Sequence, residues 1–235
     1  MDDNLRVVVA AAGSGKRMRH SLNKQYILLE GQMVLVYCIR ALEKSPLVDE
    51  IVIVIPEEER EFCQREVVVK HGFKKVKSVI AGGPLRQDSV YNGLQALGAD
   101  TRWVAIQDGA RPFLSETLLE RLLAAVKEAG AAIPGIIPAD TIKTIDEEAL
   151  VTRTLKRETL RAVQTPQIFD YQKILTACKK AREDNYYATD DAALYEKYCG
   201  PVRVVPGEIT NIKLTHPEDL ILAEAILRAR RRKDL

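Results

Sequence analysis

A short glycine-rich, basic segment near the N-terminus is the first part of the chain whose residue types indicate chemistry. Gly13-Ser14-Gly15-Lys16-Arg17 follows the apolar run Val7–Ala12, and Lys24 comes soon after. Backbone N–H groups of such a turn, together with nearby cations, are what proteins use to hold a polyphosphate. The segment predicts a phosphate site, although an ordinary strand-to-helix turn with a solvated basic flank also explains it.

Two familiar phosphate motifs are excluded by the spacing of this segment. A P-loop requires four residues between its glycines and then Gly-Lys-Ser/Thr, whereas a single residue separates Gly13 from Gly15 and Arg17 stands at the hydroxyl position. A dinucleotide fingerprint requires a third glycine where the chain has Met18. The segment is therefore neither a kinase-like P-loop nor a dinucleotide-binding turn.

Three later clusters of polar residues each follow a predicted strand. They are Gly82-Gly83 with Gln87-Asp88-Ser89, then Asp108-Gly109-Ala110-Arg111-Pro112, and finally Asn211-Ile212-Lys213 after a late strand near Ile209. Ligands of open α/β sheets bind beyond the carboxyl ends of the strands, so we expect these clusters to share one site with the N-terminal segment. A carboxylate at a strand end is a usual anchor for Mg²⁺ on nucleotide phosphates, which makes Asp108 the predicted metal ligand.

Composition narrows the class of ligand. The chain has 235 residues, 46% of them hydrophobic, and its 35 basic and 33 acidic residues leave a net charge of +2. This balance is far from the basic excess of nucleic-acid-binding proteins, so a small anionic ligand is expected and nucleic acid is not. Four cysteines without metal-ligand or CxxC spacing indicate reduced thiols and a cytoplasmic location. No apolar run reaches membrane-spanning length, so no membrane partner is expected.

The order of apolar patterns predicts an α/β fold in one domain, 1–235, with a mostly parallel twisted sheet and helices on both faces. The predicted strands are Val7–Ala12, Glu50–Ile55, Val76–Ile80 and Trp103–Ile106. The predicted helices are Met33–Lys44, a charged helix from about Glu57, Asp88–Leu97, Ser115–Ala129 capped by Ser115 and stopped by Gly130, and a final helix opened by a capping box Thr215-His216-Pro217-Glu218.

A threonine-rich and charged stretch from Ala139 to Ala162 does not follow this alternation. Thr141, Thr144, Thr152 and Thr154 alternate with apolar residues on either side of Asp146-Glu147-Glu148, which is typical of a β-hairpin and its turn. A hairpin with so little apolar surface is marginal alone. We therefore expect a protruding β-hairpin arm at about 139–162 that rests on the main domain or on a second subunit.

The ordered set of motifs resembles the 2-C-methyl-D-erythritol 4-phosphate cytidylyltransferase family over almost the whole chain. The set comprises Ala11–Met18, Lys24-Gln25, Gly82-Gly83 with Asp88-Ser89-Val90, Asp108–Pro112, Thr165-Pro166-Gln167, Thr189-Asp190 and Asn211–Lys213. The chain departs from the family pattern at Ala10 and Asn23, where proline is common, and neither change removes a functional side chain. The resemblance implies a Rossmann-like nucleotidyltransferase fold.

What the resemblance implies about chemistry is the transfer of CMP from CTP to 2-C-methyl-D-erythritol 4-phosphate, with Mg²⁺ and release of pyrophosphate, in non-mevalonate isoprenoid biosynthesis. It also implies a homodimer whose arms are exchanged, so that Thr141 and Arg157 act in the neighbouring site. The implied catalytic residues are Arg17, Lys24, Arg157 and Lys213, and the implied nucleotide-binding, sugar-phosphate-binding and metal-binding residues are Ala11, Ala12, Gly13, Ser14, Gly15, Gly83, Ser89, Asp108, Gly109, Arg111, Thr141 and Thr189.

The expected chemistry agrees with the absence of any histidine from these motifs. A substrate phosphate is largely ionised at neutral pH, so its oxygen attacks without a general base and catalysis rests on positioning and cations. Two alternatives remain open on sequence. One is a ribitol 5-phosphate cytidylyltransferase, which shares the loop and metal site, and the other is a non-catalytic nucleotide-binding regulatory module.

Overall fold

The computed structural model describes residues 4–13 and 23–233 of the chain, with an eight-stranded sheet at its centre. Ser14, Gly15 and Arg17 lie outside the described residues, and so does the side chain of Lys24. The strands are β1 (Leu5–Ala10), β2 (Leu28–Leu29), β3 (Gln32–Met33), β4 (Val48–Ile55), β5 (Val76–Ala81), β6 (Trp103–Asp108), β7 (Ala131–Ile136), β8 (Lys143–Ile145), β9 (Val151–Thr154), β10 (Ala162–Val163), β11 (Gln167–Asp170) and β12 (Arg203–Pro206). The α-helices are α1 (Val34–Lys44), α2 (Arg60–Cys63), α3 (Arg86–Gln95), α4 (Glu116–Ala129), α5 (Tyr171–Glu183), α6 (Asp191–Tyr198) and α7 (Glu218–Lys233).

Half of the central sheet is parallel and buried on both faces. β1 lies between β4 and β6, and β5 pairs with the outer side of β4, all in parallel. Val8 faces Val52 on one side and Ile106 on the other. Continuous valine and isoleucine runs form such strands because helices cover both faces. In the other half, β11 runs antiparallel between β6 and β7, while β12 is parallel to β7.

Helices pack on both faces of this sheet, as the sequence predicts. One face buries α1 and α4 with apolar side chains of β1 and β4, and the other buries α3, α5 and α6. The C-terminal helix α7 packs apart from these, against α1 and Phe113. No α-helix within 4–13 and 23–233 is long and apolar enough to cross a membrane.

Helix ends follow the predicted capping at α4 and differ at α7. Ser115 Oγ accepts a hydrogen bond from Leu118 N at 3.1 Å, and Gly130 ends α4 with φ of 77°. The predicted capping box of Thr215 and Glu218 is wrong. Instead, Asp219 in the first turn of α7 uses its carboxylate to accept hydrogen bonds from the backbone N–H groups of Thr215 and His216.

Several boundaries and elements differ from the sequence-based expectation. The predicted late strand near Ile209 is wrong, because β12 ends at Pro206 and Ile209 is an exposed turn residue. Proline has no N–H to continue a strand ladder. The charged segment after Pro56 is a 3₁₀ turn, then α2, then a π-helix at Gln64–Val69. The elements β7, β11, α5 and α6 were not predicted.

The predicted hairpin is present. The chain leaves the sheet after β7 and returns at β10, and between them β8 and β9 pair antiparallel. Asp146 closes the turn, where its Oδ1 accepts from Glu148 N at 3.1 Å and from Leu150 N at 2.9 Å. All side chains of β8 and β9 are exposed, so the hairpin buries no apolar side chain of these strands against the rest of its own chain.

Candidate functional site

A cavity of about 340 Å³ lies at the carboxyl ends of β1, β5 and β6. Its size is typical of small-molecule sites, which begin at about 300 Å³. It is lined by Ala10, Ala11, Ala12, Gly13, Gln25, Gly83, Pro84, Leu85, Arg86, Ser89, Asp108, Ala110 and Lys213. Seven of the predicted site residues thus meet at one cavity: Ala11, Ala12, Gly13, Gly83, Ser89, Asp108 and Lys213.

Glycine at position 82 lets two segments of the cavity wall approach each other. A Cβ at Gly82 would lie 2.5 Å from Ala12 Cβ and 2.7 Å from Ser89 Oγ. Ser89 Oγ in turn accepts a hydrogen bond from Gly83 N at 3.0 Å, which fixes the turn before α3. The backbone of this turn is therefore held beside the end of β1, and both segments line the cavity.

Asp108, the last residue of β6, is surrounded by cations. Lys213 Nζ lies 2.7 Å from Asp108 Oδ2, Arg86 Nε lies 3.3 Å from Oδ1, and Arg111 Nε lies 3.8 Å from Oδ2. Burial alone would raise the pKa of Asp108, but Arg86, Lys213 and Arg111 outweigh it and hold the pKa at about 2. The carboxylate is therefore ionised at neutral pH.

Arg86 is a cavity residue that the sequence reasoning missed. Its guanidinium bridges two acids, with Nε 3.3 Å from Asp108 Oδ1 and Nη2 2.8 Å from Asp191 Oδ2. Burial would lower the pKa of Arg86, but Asp191 and Asp108 together raise it. Burial raises the pKa of Asp191 despite its ion pair with Arg86. The signal in the sequence was a cation three residues after Gly83, just before the predicted helix Asp88–Leu97.

The motif Thr165-Pro166-Gln167 supports the site from behind. Thr165 Oγ1 accepts from Asp108 N at 3.0 Å, and Thr165 O accepts from Asn211 Nδ2 at 2.9 Å. Gln167 accepts from Ala192 N at 3.0 Å at the start of α6. This segment therefore joins the end of β6, the Asn211 loop and α6, which is a scaffolding role.

Two predicted site residues lie beneath the cavity lining. Arg111 is buried, and its Nη1 donates to Asn211 O at 2.7 Å, so it fixes the loop that carries Lys213. Burial lowers the pKa of Arg111. Gly109 packs against β1, where a Cβ would lie 2.9 Å from Ala11 Cβ. Both residues shape the site from below its surface.

The remaining predicted residues lie elsewhere on the chain. Thr141 and Arg157 are exposed on the arm, where Arg157 Nη1 donates to Ala139 O at 2.9 Å. Thr189 is exposed and lines a small pocket together with Arg86 and Asp191. Within a single copy of the chain, the side chains of Thr141, Arg157 and Thr189 do not line the cavity at the ends of β1, β5 and β6.

The donor set of the cavity fits a magnesium ion that is shared with a polyphosphate. No group of three or more His, Cys, Asp or Glu that could hold a metal occurs in the described ranges, so a site made wholly of protein ligands is not found there. Magnesium commonly binds through one or two carboxylates with phosphate oxygens completing its shell. Asp108 supplies one such carboxylate, and the cations beside it suit phosphate.

Comparison with known proteins gives the same family throughout. The 2-C-methyl-D-erythritol 4-phosphate cytidylyltransferase family model matches residues 5–229. The protein of that name from Syntrophus aciditrophicus is 43% identical over 228 residues, 97% of each chain, and that from Geobacter metallireducens is 44% identical over 224 residues, 94% of this chain and 96% of the other.

Solved structures agree with the sequence comparison. The structure of 4-diphosphocytidyl-2C-methyl-D-erythritol synthase from Anaerococcus prevotii superimposes with a TM-score of 0.86 at 32% identity, over 97% of each chain. That of 2-C-methyl-D-erythritol 4-phosphate cytidylyltransferase from Thermus thermophilus gives 0.78 at 33% identity, over 96% of this chain and 99% of the other. Given this agreement in sequence and fold, the chain belongs to the 2-C-methyl-D-erythritol 4-phosphate cytidylyltransferase family.

Proposed function

We propose that the chain transfers the CMP group of CTP to 2-C-methyl-D-erythritol 4-phosphate and releases pyrophosphate, in the non-mevalonate route to isoprenoid precursors. The observation that carries this proposal is the ionised Asp108 between Lys213 and Arg86, at the edge of a cavity walled by the backbone of Ala11–Gly13 and Gly83. Such a cavity offers backbone groups to a nucleotide and cations to its phosphates.

The reaction needs no general base from the protein. A phosphate oxygen of the sugar phosphate forms a bond to the α-phosphorus of CTP while the bond to the β-phosphate oxygen breaks, and the electron pair leaves with pyrophosphate. The attacking oxygen is already ionised at neutral pH, because the second pKa of a phosphate monoester is about 6. The described histidines, His71 and His216, are absent from the cavity lining, which supports this mechanism.

The cations of the site would bring two anions together. Lys213 is part-exposed at the cavity and forms its ion pair with Asp108, so it can turn to a phosphate oxygen when substrate binds. Arg86 provides a second, more fixed charge at the start of α3. Arg17 and Lys24, assigned from the sequence, would act on the triphosphate from the N-terminal segment.

Magnesium is part of the proposal, with Asp108 as its protein ligand. When bound, the ion would offset the charge of the triphosphate and of the leaving pyrophosphate. Asp108 would provide an ionised oxygen for it, because the pKa of Asp108 is held at about 2.

We further propose a homodimer with exchanged arms. The hairpin exposes Ile145, Leu150 and Val151, and the surface below it exposes Val204 and Ile209. Apolar residues on an isolated two-stranded hairpin are typical of a segment that packs on another chain. Thr141 and Arg157 on the arm would then reach the partner's cavity.

A cytoplasmic location is also proposed, supported by the four unpaired cysteines.

The experiment that tests this function measures pyrophosphate release from CTP and Mg²⁺ with each acceptor in turn. Product formation with 2-C-methyl-D-erythritol 4-phosphate, and its loss on chelation of the metal by EDTA, is expected. Turnover with ribitol 5-phosphate alone would replace the acceptor in this proposal. Binding of CTP without turnover on either acceptor would identify a regulatory module instead.

A further inference from the structure

A buried carboxylate lies behind Arg86 and has no part in the chemistry proposed above. Asp191, the first residue of α6, is 1% exposed, and its Oδ2 lies 2.8 Å from Arg86 Nη2. The Nε of the same guanidinium donates to Asp108 Oδ1 at 3.3 Å. One arginine side chain is therefore shared between an acid at the cavity and an acid behind it.

This sharing matters because Asp108 already has other cations. Lys213 and Arg111 both lie within 4 Å of its Oδ2, at 2.7 and 3.8 Å. A metal ion at Asp108 has to compete with every cation that neutralises the carboxylate. The shorter contact of Arg86 is the one to Asp191, which divides the charge of Arg86 between two acids.

Asp191 is not the residue that caps its own helix. The neighbouring Asp190 does so, with Oδ1 accepting from Ala193 N at 3.0 Å and Oδ2 accepting from Gln167 Nε2 at 2.9 Å. Among the described residues, the carboxylate of Asp191 has no such backbone partner, and it forms an ion pair with Arg86. Helix capping and contact with Arg86 are thus divided between two adjacent aspartates.

We propose that Asp191 is a positioning residue for metal binding: it holds the Arg86 guanidinium toward itself and so keeps an oxygen of Asp108 available to a divalent ion bound with the nucleotide. This inference rests on the proposed function, in which Asp108 is the metal ligand. Partners that orient a metal-binding group affect metal affinity by about 10- to 100-fold when they are removed.

The test compares metal and nucleotide binding in wild-type protein, Asp191→Asn and the matched control Asp190→Asn. Mn²⁺ is titrated in the presence of CTP, without sugar phosphate, and free Mn²⁺ is followed by electron paramagnetic resonance. We expect Asp191→Asn to weaken Mn²⁺ binding at least about tenfold. Its affinity for CTP in EDTA should stay equal or increase, because one negative charge beside the cavity has been removed. Asp190→Asn should change neither value.

A double-mutant cycle decides whether Asp191 acts through Arg86. In an Arg86→Gln background, Asp191→Asn should have no further effect on Mn²⁺ affinity, whereas independent structural effects would add. If Asp191→Asn alone does not fold, the comparison of Arg86→Gln with the double variant Arg86→Gln/Asp191→Asn still tests the inference. A lower Mn²⁺ affinity of the double variant would overturn it.

The outcomes separate this inference from the proposed function. Equal Mn²⁺ affinity of wild type and Asp191→Asn, or a parallel loss of CTP affinity in EDTA, overturns the positioning role and leaves the function standing. Wild-type protein that binds Mn²⁺ with CTP but releases no pyrophosphate with 2-C-methyl-D-erythritol 4-phosphate overturns the function alone. Wild-type protein that binds no Mn²⁺ overturns both.

Discussion

Lys213 Nζ lies 2.7 Å from Asp108 Oδ2, although the two residues are far apart in the sequence. Two hydrogen bonds bring them together: Leu214 N donates to Ala110 O at 2.9 Å, and Arg111 Nη1 donates to Asn211 O at 2.7 Å. The loop that carries Lys213 is therefore fixed to the end of β6 before any ligand binds. The positive charge of the site is positioned in advance, as electrostatic catalysis requires.

Replacing Lys213 should affect turnover far more than stability. Lys213→Met removes the ammonium group but retains a flexible side chain of similar length. If Lys213 acts on charge that develops at the α-phosphate, we expect kcat to fall about 10²- to 10³-fold. The side chain is 34% exposed, so its loss leaves no large cavity. Pyrophosphate release and thermal unfolding check these two expectations on one sample.

Two controls accompany this variant. Lys213→Arg retains the charge and should keep more activity than Lys213→Met. Lys77→Met removes an exposed lysine that is absent from the cavity lining and should leave kcat unchanged. A near-normal kcat for Lys213→Met would show that Lys213 has no catalytic role, and the charge beside Asp108 would then serve the fold.

The contact of α3 with the sheet predicts a second outcome, on stability. A Cβ at Gly93 would lie 2.4 Å from Val8 Cγ1 and 2.9 Å from Val54 Cγ2. Gly93→Ala should therefore destabilise the protein by about 1–3 kcal/mol through overpacking, despite the better helix propensity of alanine. Urea unfolding measures this change. Gln95→Ala on the exposed face of the same helix is the control, and equal stability of both variants would contradict the close packing.

Much of the parallel half of the fold could be predicted from the sequence, because each of its signals is local. The apolar runs of β1, β4 and β6 reach the two-sided burial that their composition indicates. Ser115 and Gly130 mark the ends of α4 as their chemistry predicts. The site residues that follow these strands were predicted for the same reason, since strand ends at one edge must lie together.

The missed features depend on contacts between distant segments. Arg86 reads as a surface cation until Asp191 and Asp108 are brought to either side of it by α6 and β6. The position of Lys213 was predicted correctly from a wrong strand, because hydrogen bonds from Arg111 and Leu214, and not a strand end, place the loop. No local period or turn signal encodes such contacts.

The buried cysteines predict a loss of stability at alkaline pH. Burial raises the pKa of Cys38 and Cys63 to about 12, above the value of 9.0 for a free thiol. Below pH 9 both thiols stay protonated in the folded and in the unfolded state, so they do not change the unfolding free energy. Between pH 9 and 12 the unfolded state releases protons that the folded state retains, so each thiol lowers the unfolding free energy by about 1.4 kcal/mol per pH unit.

Urea unfolding at pH 8 and pH 10 measures how far the unfolding free energy falls as the pH rises. Cys38→Ala removes one of the two thiols and should make this fall smaller. Reactivity gives an independent measurement. Among the four thiols, Cys199 is part-exposed and the others are buried, so Ellman's reagent at pH 8 should label Cys199 first in the native protein and all four after unfolding. Rapid native labelling of Cys38 would show that its environment is open to solvent.

The proposed arm exchange predicts that two inactive variants restore each other. Lys24 belongs to the main domain and Arg157 to the arm, so in an exchanged dimer each site takes these residues from different chains. Lys24→Ala and Arg157→Ala should each be inactive alone. After subunit exchange, half of the dimers are mixed and each mixed dimer has one intact site. The recovered activity should therefore reach at most about a quarter of the wild-type value.

The matched control mixes Lys24→Ala with the double variant Lys24→Ala/Arg157→Ala, which gives no intact site in any dimer and should recover nothing. Mass spectrometry of one isotope-labelled partner verifies that subunits have exchanged. Exchange without recovery would mean that each chain completes its own cavity. Arg157 would then have to reach it within one chain, which the hydrogen bond from Arg157 Nη1 to Ala139 O on the exposed arm argues against.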